Sequence, residues 1–222
     1  MEISLFEAIQ SARALRRFKP DPVPDEVITR VLEAAICAPS GGNSQDWLFA
    51  AITDPEQRRN IGAAYAKASQ MVRPYYSDAA RPPHMSEEEY KRLQSSGFHL
   101  HEHMDEAPLL ILVAAKKKPA RHYDNIDPAI AERSQLCTRM ASIYPAVQNI
   151  ILACRALGLG TVLTTNHLLC EEEVKTIVGL PDDIETFALM PVGYPLGKFG
   201  PVRRKPLSEV AIRDRWGNRW QS

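Results

Sequence analysis

Apolar positions recur at helical spacing in some stretches and run continuously in others, and together they set out the order of elements. Leu5, Ile9 and Ala12 predict one face of a short opening helix, which Pro20 and Pro22 forbid to continue. Val27, Ile28, Val31, Leu32 and Ala35 predict a second helix, with Asp25 as its cap. Trp47 to Thr53 reads as a buried strand, Asp54-Pro-Glu-Gln opens a helix running to about Ser69, and Leu109 to Val113 reads as another strand. From Met71 to Ser86 the chain is rich in Pro, Tyr, Arg and His without usable periodicity. It is read as a lid or a plain surface excursion, with Met71, Tyr75, Tyr76 and His84 as its candidate substrate-facing side chains. Ser86-Glu-Glu-Glu begins a polar helix whose acidic first turn suits the helix dipole. Between about Gln135 and Leu157, Ile143, Val147, Ile150, Ile151 and Cys154 spread so widely that the helix carrying them is expected to be buried on more than one side. Gly158-Leu-Gly160 ends it and leads into a short strand, Thr161 to Thr165; a short helix, Glu171 to Val178, and a buried strand, Phe187 to Tyr194, follow.

Composition narrows the class. With 222 residues, 45% of them hydrophobic, the chain can bury one substantial core, and a single domain over 1–222 is expected. Lys plus Arg and Asp plus Glu number 27 each, so any anion site must be local; no nucleic-acid partner and no membrane surface are predicted. Met-Glu-Ile-Ser carries no basic or apolar leader pattern, and a cytoplasmic location is the default expectation. The four cysteines lack CxxC spacing and are read as reduced and structural.

Three stretches carry candidate chemistry. Arg13, Arg16, Arg17 and Lys19 lie within seven residues, either as a solvated basic patch or as a phosphate site, since guanidinium forks bind phosphate bidentately. Ala38 to Trp47 stops a helix at Pro39 and sets Ser40, Gly41, Gly42, Asn43 and Gln45 between apolar segments. That composition suits a loop binding a planar heteroaromatic ligand, and equally an ordinary turn. His99, His101 and His103 stand at i, i+2 and i+4, so only His99 and His103 share a helix face, and no metal site is predicted.

Arg13-Ala-Leu-Arg16-Arg-Phe18 with Pro22-Val23-Pro24, the stretch Ala38 to Trp47, and Gly158-Leu-Gly160 with Gly193-Tyr-Pro195 resemble, in order, signatures of the FMN-dependent nitroreductase family. The resemblance implies an α+β fold, a central mostly antiparallel sheet flanked by helices in an intertwined homodimer, with FMN as cofactor and NADH or NADPH as electron donor. It implies ping-pong hydride transfer to a nitroaromatic, quinone or similar small-molecule acceptor, with the chemistry on FMN rather than on a catalytic side chain. By position in the motifs, Arg13, Ala14 (through its backbone N–H), Arg16, Arg203 and Arg204 would hold the phosphate. Pro39, Ser40, Gly41, Asn43 and Gln45 would reach the flavin from the other subunit. His103 would lie beside the flavin pyrimidine, and Thr164, Thr165 and Asn166 would lie near its N5 edge. Residues 71–86 would be a lid and 207–222, with Trp216 and Trp220, a partner-wrapping tail. Alternatives are a non-enzymatic FMN store and the oxygen-dependent flavin-cleaving branch. The deiodinase branch is disfavoured, because its Glu-x-x-x-Tyr pattern would need Glu where Ser86 precedes Tyr90.

Overall fold

The computed structural model describes residues 3–119 and 121–221; the expected domain, 1–222, also takes in Met1, Glu2, Ala120 and Ser222, which lie outside the described residues. Leu5–Ser11 (α1) and Asp25–Ile36 (α2) precede Trp47–Ile52 (β1). Pro55–Asp78 (α3) and Glu87–Glu102 (α4) lead to Leu109–Lys116 (β2), and Pro128–Ala156 (α5) leads to Gly160–Thr161 (β3). Glu171–Val178 (α6), Ile184–Gly193 (β4) and Leu207–Val210 (α7) follow. The strands form one sheet in the order β1-β2-β4-β3, with every pairing antiparallel.

The sheet is covered on both faces, which explains the unbroken apolar run of β2. Side chains alternate across a strand, so Leu109, Ile111 and Val113 enter one core with α2 and α5, while Leu110 and Leu112 enter a second with Ile61, Tyr65, Leu100 and Met104. Around β2 neither face is left for water, so no polar alternation is written into its sequence, while on the edge strand β1 Leu48 and Ala51 are exposed. Cys154 lies in the first core, where burial pushes its thiol up to about 12 and leaves it inert at neutral pH. Among the described residues, no helix is long and apolar enough to cross a membrane.

Local chemistry decides the helix ends. Asp54 caps α3 through Gln57 N–H, with Pro55 in the first turn; Ser86 and Glu89 close a reciprocal capping box on α4. Several expectations need correction. Asp25 is the first residue of α2, whose cap position is Pro24. In α1 it is Ala8 that is buried, while Leu5 and Ile9 face outward. The third helix does not stop near Ser69 but runs through Pro74 to Asp78; beyond Ser69 it has no fully buried residue, so no continuous apolar face was there to be read. Helix α5 starts seven residues early, at Pro128, where Asp127 accepts from the N–H groups of Ala129 and Ile130.

Candidate functional site

The arginine segment is an extended strap sewn onto one end of the sheet. Leu15 N–H donates to Thr161 O at 3.1 Å, Lys19 N–H to Tyr194 O at 2.7 Å, and Leu196 N–H to Arg17 O at 3.0 Å, while Phe18 bridges Pro195. Leu15 and Phe18 are the buried anchors, and the cationic side chains between them are left for other partners. Two glycines allow this crossing. A Cβ at Gly193 would sit 2.6 Å from Cδ of Pro108, and one at Gly160 would sit 3.0 Å from Cβ of Pro195 and 3.1 Å from Cβ of Leu15. Gly160 and Gly193 are therefore set by close packing against the strap and Pro108, whereas Gly158 has open space around it and is set by its positive φ of 76°.

Arg16 turns inward from the strap to a cavity of about 440 Å³ between α3, α4 and the segment 162–166. Its guanidinium reaches Ser96 Oγ at 3.3 Å and, among the described residues, pairs with no carboxylate. Burial pushes its pKa below the usual arginine range, the mark of a cation short of solvation. Thr164, Thr165 and Asn166 line the same cavity. Thr164 is pinned by two backbone hydrogen bonds with Leu189, at 3.0 and 3.1 Å, and its hydroxyl lies 2.7 Å from that of Tyr65. Tyr76 donates to Asn166 Oδ1 at 3.4 Å, and Asn166 Nδ2 lies 3.4 Å from His101 Nε2.

His101 was not singled out by sequence. A helix turns about 100° per residue, so a histidine two positions from His99 and from His103 faces nearly the opposite way from both. His101 accordingly enters the cavity, edge-on to Tyr65 and Phe98, while His99 and His103 stack at 4.3 Å in an open groove on the other flank of α4. His103, expected beside the flavin pyrimidine, does not line the cavity that Arg16 lines; its Nδ1 lies 2.9 Å from Glu106. Of the four side chains proposed in the 71–86 segment, only Tyr76 lines the cavity; Met71, Tyr75 and His84 are exposed elsewhere.

The remaining predicted residues fall in two further places. Val202 N–H donates to Gln10 O at 2.8 Å, which lays the 200–205 segment beside the start of the strap, and a Cβ added at Gly200 would lie 3.9 Å from Arg13 Nη1. Arg13 and Ala14 are exposed there, as is Arg204, whose guanidinium, among the described residues, bonds the carbonyl of Arg203 at 2.8 Å and no other group. Arg203 itself pairs with Glu89 of the α4 capping box. Farther off, the 38–47 loop lies by a second cavity, of about 380 Å³, which Gly41 and Gly42 line and Arg16 does not. There Gly41 N–H donates to Ser142 Oγ at 3.0 Å, Gln45 N–H to Ser40 Oγ at 3.0 Å, and Gln45 Nε2 to Asn43 Oδ1 at 3.1 Å; Pro39 is exposed at its start. Asn43 and Gln45 hold φ of 52° and 50°, a left-handed conformation unfavourable for side-chain-bearing residues, so the loop keeps a shape that chain propensity opposes.

These features suit an anionic, planar ligand: a desolvated guanidinium, exposed arginines on a strap, and a loop of amide side chains held in place. FMN, with its phosphate and flat ring, has that chemistry. A sequence profile of the Nitroreductase family matches residues 9–194. Iodotyrosine deiodinase from Drosophila melanogaster is 30% identical over 220 residues, covering 94% of this chain and 69% of the relative. A protein named NADH dehydrogenase from Thermus thermophilus is 27% identical over 207 residues, 90% of this chain and 91% of its own. A solved iodotyrosine deiodinase bound to FMN and 3-iodo-L-tyrosine superposes with a TM-score of 0.68 at 25% identity, covering 96% of this chain and 99% of its own.

Proposed function

This chain belongs to the nitroreductase family, and from that premise we propose that it is an FMN-dependent oxidoreductase that takes electrons from NADH or NADPH and reduces a small aromatic acceptor. The observation that carries the reading is the meeting of Arg16 with Thr164, Thr165 and Asn166 in one cavity, although some 150 residues separate them in sequence. Arg13, Arg204 and the backbone at Ala14 would hold the phosphate. Arg16 would place its charge against the ring system, and Thr164 to Asn166 would border the reacting edge. When bound, FMN supplies the hydride-transfer chemistry, received from the nicotinamide and passed to the acceptor. The chain's own part is to orient the ring, exclude water with Tyr65, Tyr76 and Leu100, and leave one face open.

We further propose a homodimer. In one chain the loop bearing Ser40, Asn43 and Gln45 lies by a different cavity from Arg16, so a site using both sets of residues needs the loop of a second copy. Leu5, Phe6, Trp216 and Val210 stay exposed on the single chain, which supports the tail 207–222 as a partner-covering element.

Similarity to the deiodinases raises reductive dehalogenation as a second reading. The acidic first turn of α4 does not favour it: Glu87 and Glu88 pair with Lys91 and Arg92, Glu89 caps the helix and meets Arg203, and none of the three lines the cavity. Anaerobic titration of the purified protein with NADPH or NADH tests the proposal. Bleaching of a bound flavin, reversed by a nitroaromatic or quinone, is expected; flavin that neither donor reduces would overturn it in favour of FMN storage or another reductant.

A further inference from the structure

We propose that Arg155 is the positioning residue for the phosphate end of the site. It locks the start of the arginine strap against the 197–204 segment, and through them gives the chain its preference for FMN over riboflavin. The inference rests on the function proposed above and concerns how the same site recognises the phosphate of its cofactor.

The groups assigned to the phosphate come from two segments far apart in sequence. Arg13 and the backbone at Ala14 follow directly on α1, whereas Arg204 lies beyond the last strand of the sheet. The strap is sewn to the sheet from Leu15 to Lys19, but Arg13 and Ala14 are exposed ahead of that seam. Their placement therefore falls to α1, which has little of its own to hold it. It is seven residues long, too short to be stable alone, and Ala8 is its buried residue while Leu5, Phe6 and Ile9 are exposed.

Arg155, in the last turn of α5, supplies the missing hold. Its side chain is only 14% exposed; its Nε–H donates to Ser11 Oγ at 2.7 Å, and its Nη2 reaches Glu7 Oε1 at 3.4 Å. Ser11 Oγ in turn donates to Glu7 O at 2.5 Å, so the hydroxyl has a partner in each role and its direction is fixed. The guanidinium carbon also lies over the ring of Phe199, 4.3 Å from its centroid. One side chain thus grips the end of α1 on one side and the 197–204 segment on the other, and the bond from Val202 N–H to Gln10 O closes the same junction in the backbone. Ser11 is two residues from Arg13, and Phe199 five from Arg204. Glu7 balances the charge of Arg155, so the clamp orients the two segments and leaves the phosphate to Arg13 and Arg204. A lysine would keep the charge but lacks the planar fork that serves Ser11 and Glu7 while stacking on a ring.

Titrating FMN and riboflavin separately into the flavin-free protein, followed by flavin fluorescence, reads the contribution of the phosphate as the ratio of the two affinities. Arg155→Met is expected to weaken FMN roughly tenfold, the loss of about one charge-assisted hydrogen bond, and to leave riboflavin within about twofold of native. A loss of stability alone would weaken both flavins alike, so the ratio isolates the placement of the phosphate-binding groups. Ser11→Ala and Phe199→Leu keep the charge of Arg155 and disturb one side of the clamp each; both are expected to lower the ratio by less, and Arg155→Lys to recover part of it. These milder variants carry the test if Arg155→Met fails to fold. A native ratio in Arg155→Met, or in both Ser11→Ala and Phe199→Leu, would overturn the proposal. A native protein that binds neither flavin would overturn the proposed function and this inference with it, a failure that shows before any substitution is made.

Discussion

Replacing Gly193 by alanine adds one methyl group at the point where strap, sheet and β2 entrance meet. The new carbon would lie 2.6 Å from Cδ and 2.8 Å from Cγ of Pro108, and 3.2 Å from Cβ of Phe18. None of these can rotate away, since one pair belongs to a pyrrolidine ring and the other atom is a Cβ fixed to its backbone. Overpacking of this kind costs about 1–3 kcal/mol, which for a domain of this size lowers Tm by roughly 2–12 °C. The easiest relief is to lift the strap, because Phe18 is joined to Pro195 and Lys19 to Tyr194 on the same side. Arg16 would move with it, so flavin affinity is expected to fall by more than the loss of stability accounts for. Urea unfolding of the flavin-free protein, alongside FMN titration, measures both. Gly97→Ala in α4, a residue that also lines the cavity, is the control for stability alone: nothing lies within 4 Å of its added Cβ, and a helical Gly→Ala change is worth about 0.5–1 kcal/mol of added stability. Gly193→Ala unfolding within about 0.5 kcal/mol of the native protein, with flavin retention intact, would refute the reasoning.

Arg16→Met is expected to stabilise the flavin-free protein, since it removes a desolvated cation that no carboxylate balances, and to weaken FMN binding; a stability loss would show that the cation is already compensated. Arg204→Ala should lower FMN retention without changing the unfolding midpoint, because its exposed guanidinium holds, among the described residues, nothing but a neighbouring carbonyl; unchanged retention would remove it from the site. Burial holds His167 down to about 4, against about 6.5 when unfolded. The unfolded chain therefore takes the proton first, and the stability that neutral His167 contributes, up to roughly 3 kcal/mol, is full above pH 6.5 and lost as pH falls toward 4. His167→Gln should flatten the acid limb of unfolding in that window, and an unaltered slope would contradict this. Gln45→Gly relieves a residue at φ of 50°, and is expected to stabilise the flavin-free chain by about 1 kcal/mol while weakening flavin binding, both read by the same titrations.

Much of the fold was legible because local signals and core periodicity agreed. Asp54-Pro55 and Ser86 mark where α3 and α4 begin, Glu171 to Val178 is the sixth helix as read, and the apolar run at 109–113 is a central strand. Legibility failed where a helix has no buried face to write a period. The turns from Met71 to Asp78 carry no fully buried residue, and the start of α5 at Pro128 is announced by Asp127 rather than by apolar spacing. The site divides the same way. Arg16 and Thr164 to Asn166 were named from motifs, and their shared cavity comes from the strap crossing at Gly160 and Gly193, a contact that no local pattern encodes. His103 was named from the resemblance alone, which carries no helix phase: His103 is the C-cap of α4 at φ −135°, outside the helical register, whereas His101 is still within it and lines the cavity with Arg16.

The central claim is that this chain binds FMN through its arginine strap and the 164–166 segment. Titrating FMN into flavin-free protein, while following flavin fluorescence and comparing the native chain with an Arg13→Ala/Arg16→Met double variant, tests it most directly. The account predicts saturable binding, with a fluorescence change that ends at one FMN per chain, and a large loss of affinity in the double variant. Fluorescence that stays that of free flavin throughout, or equal affinity of the two proteins, would contradict it.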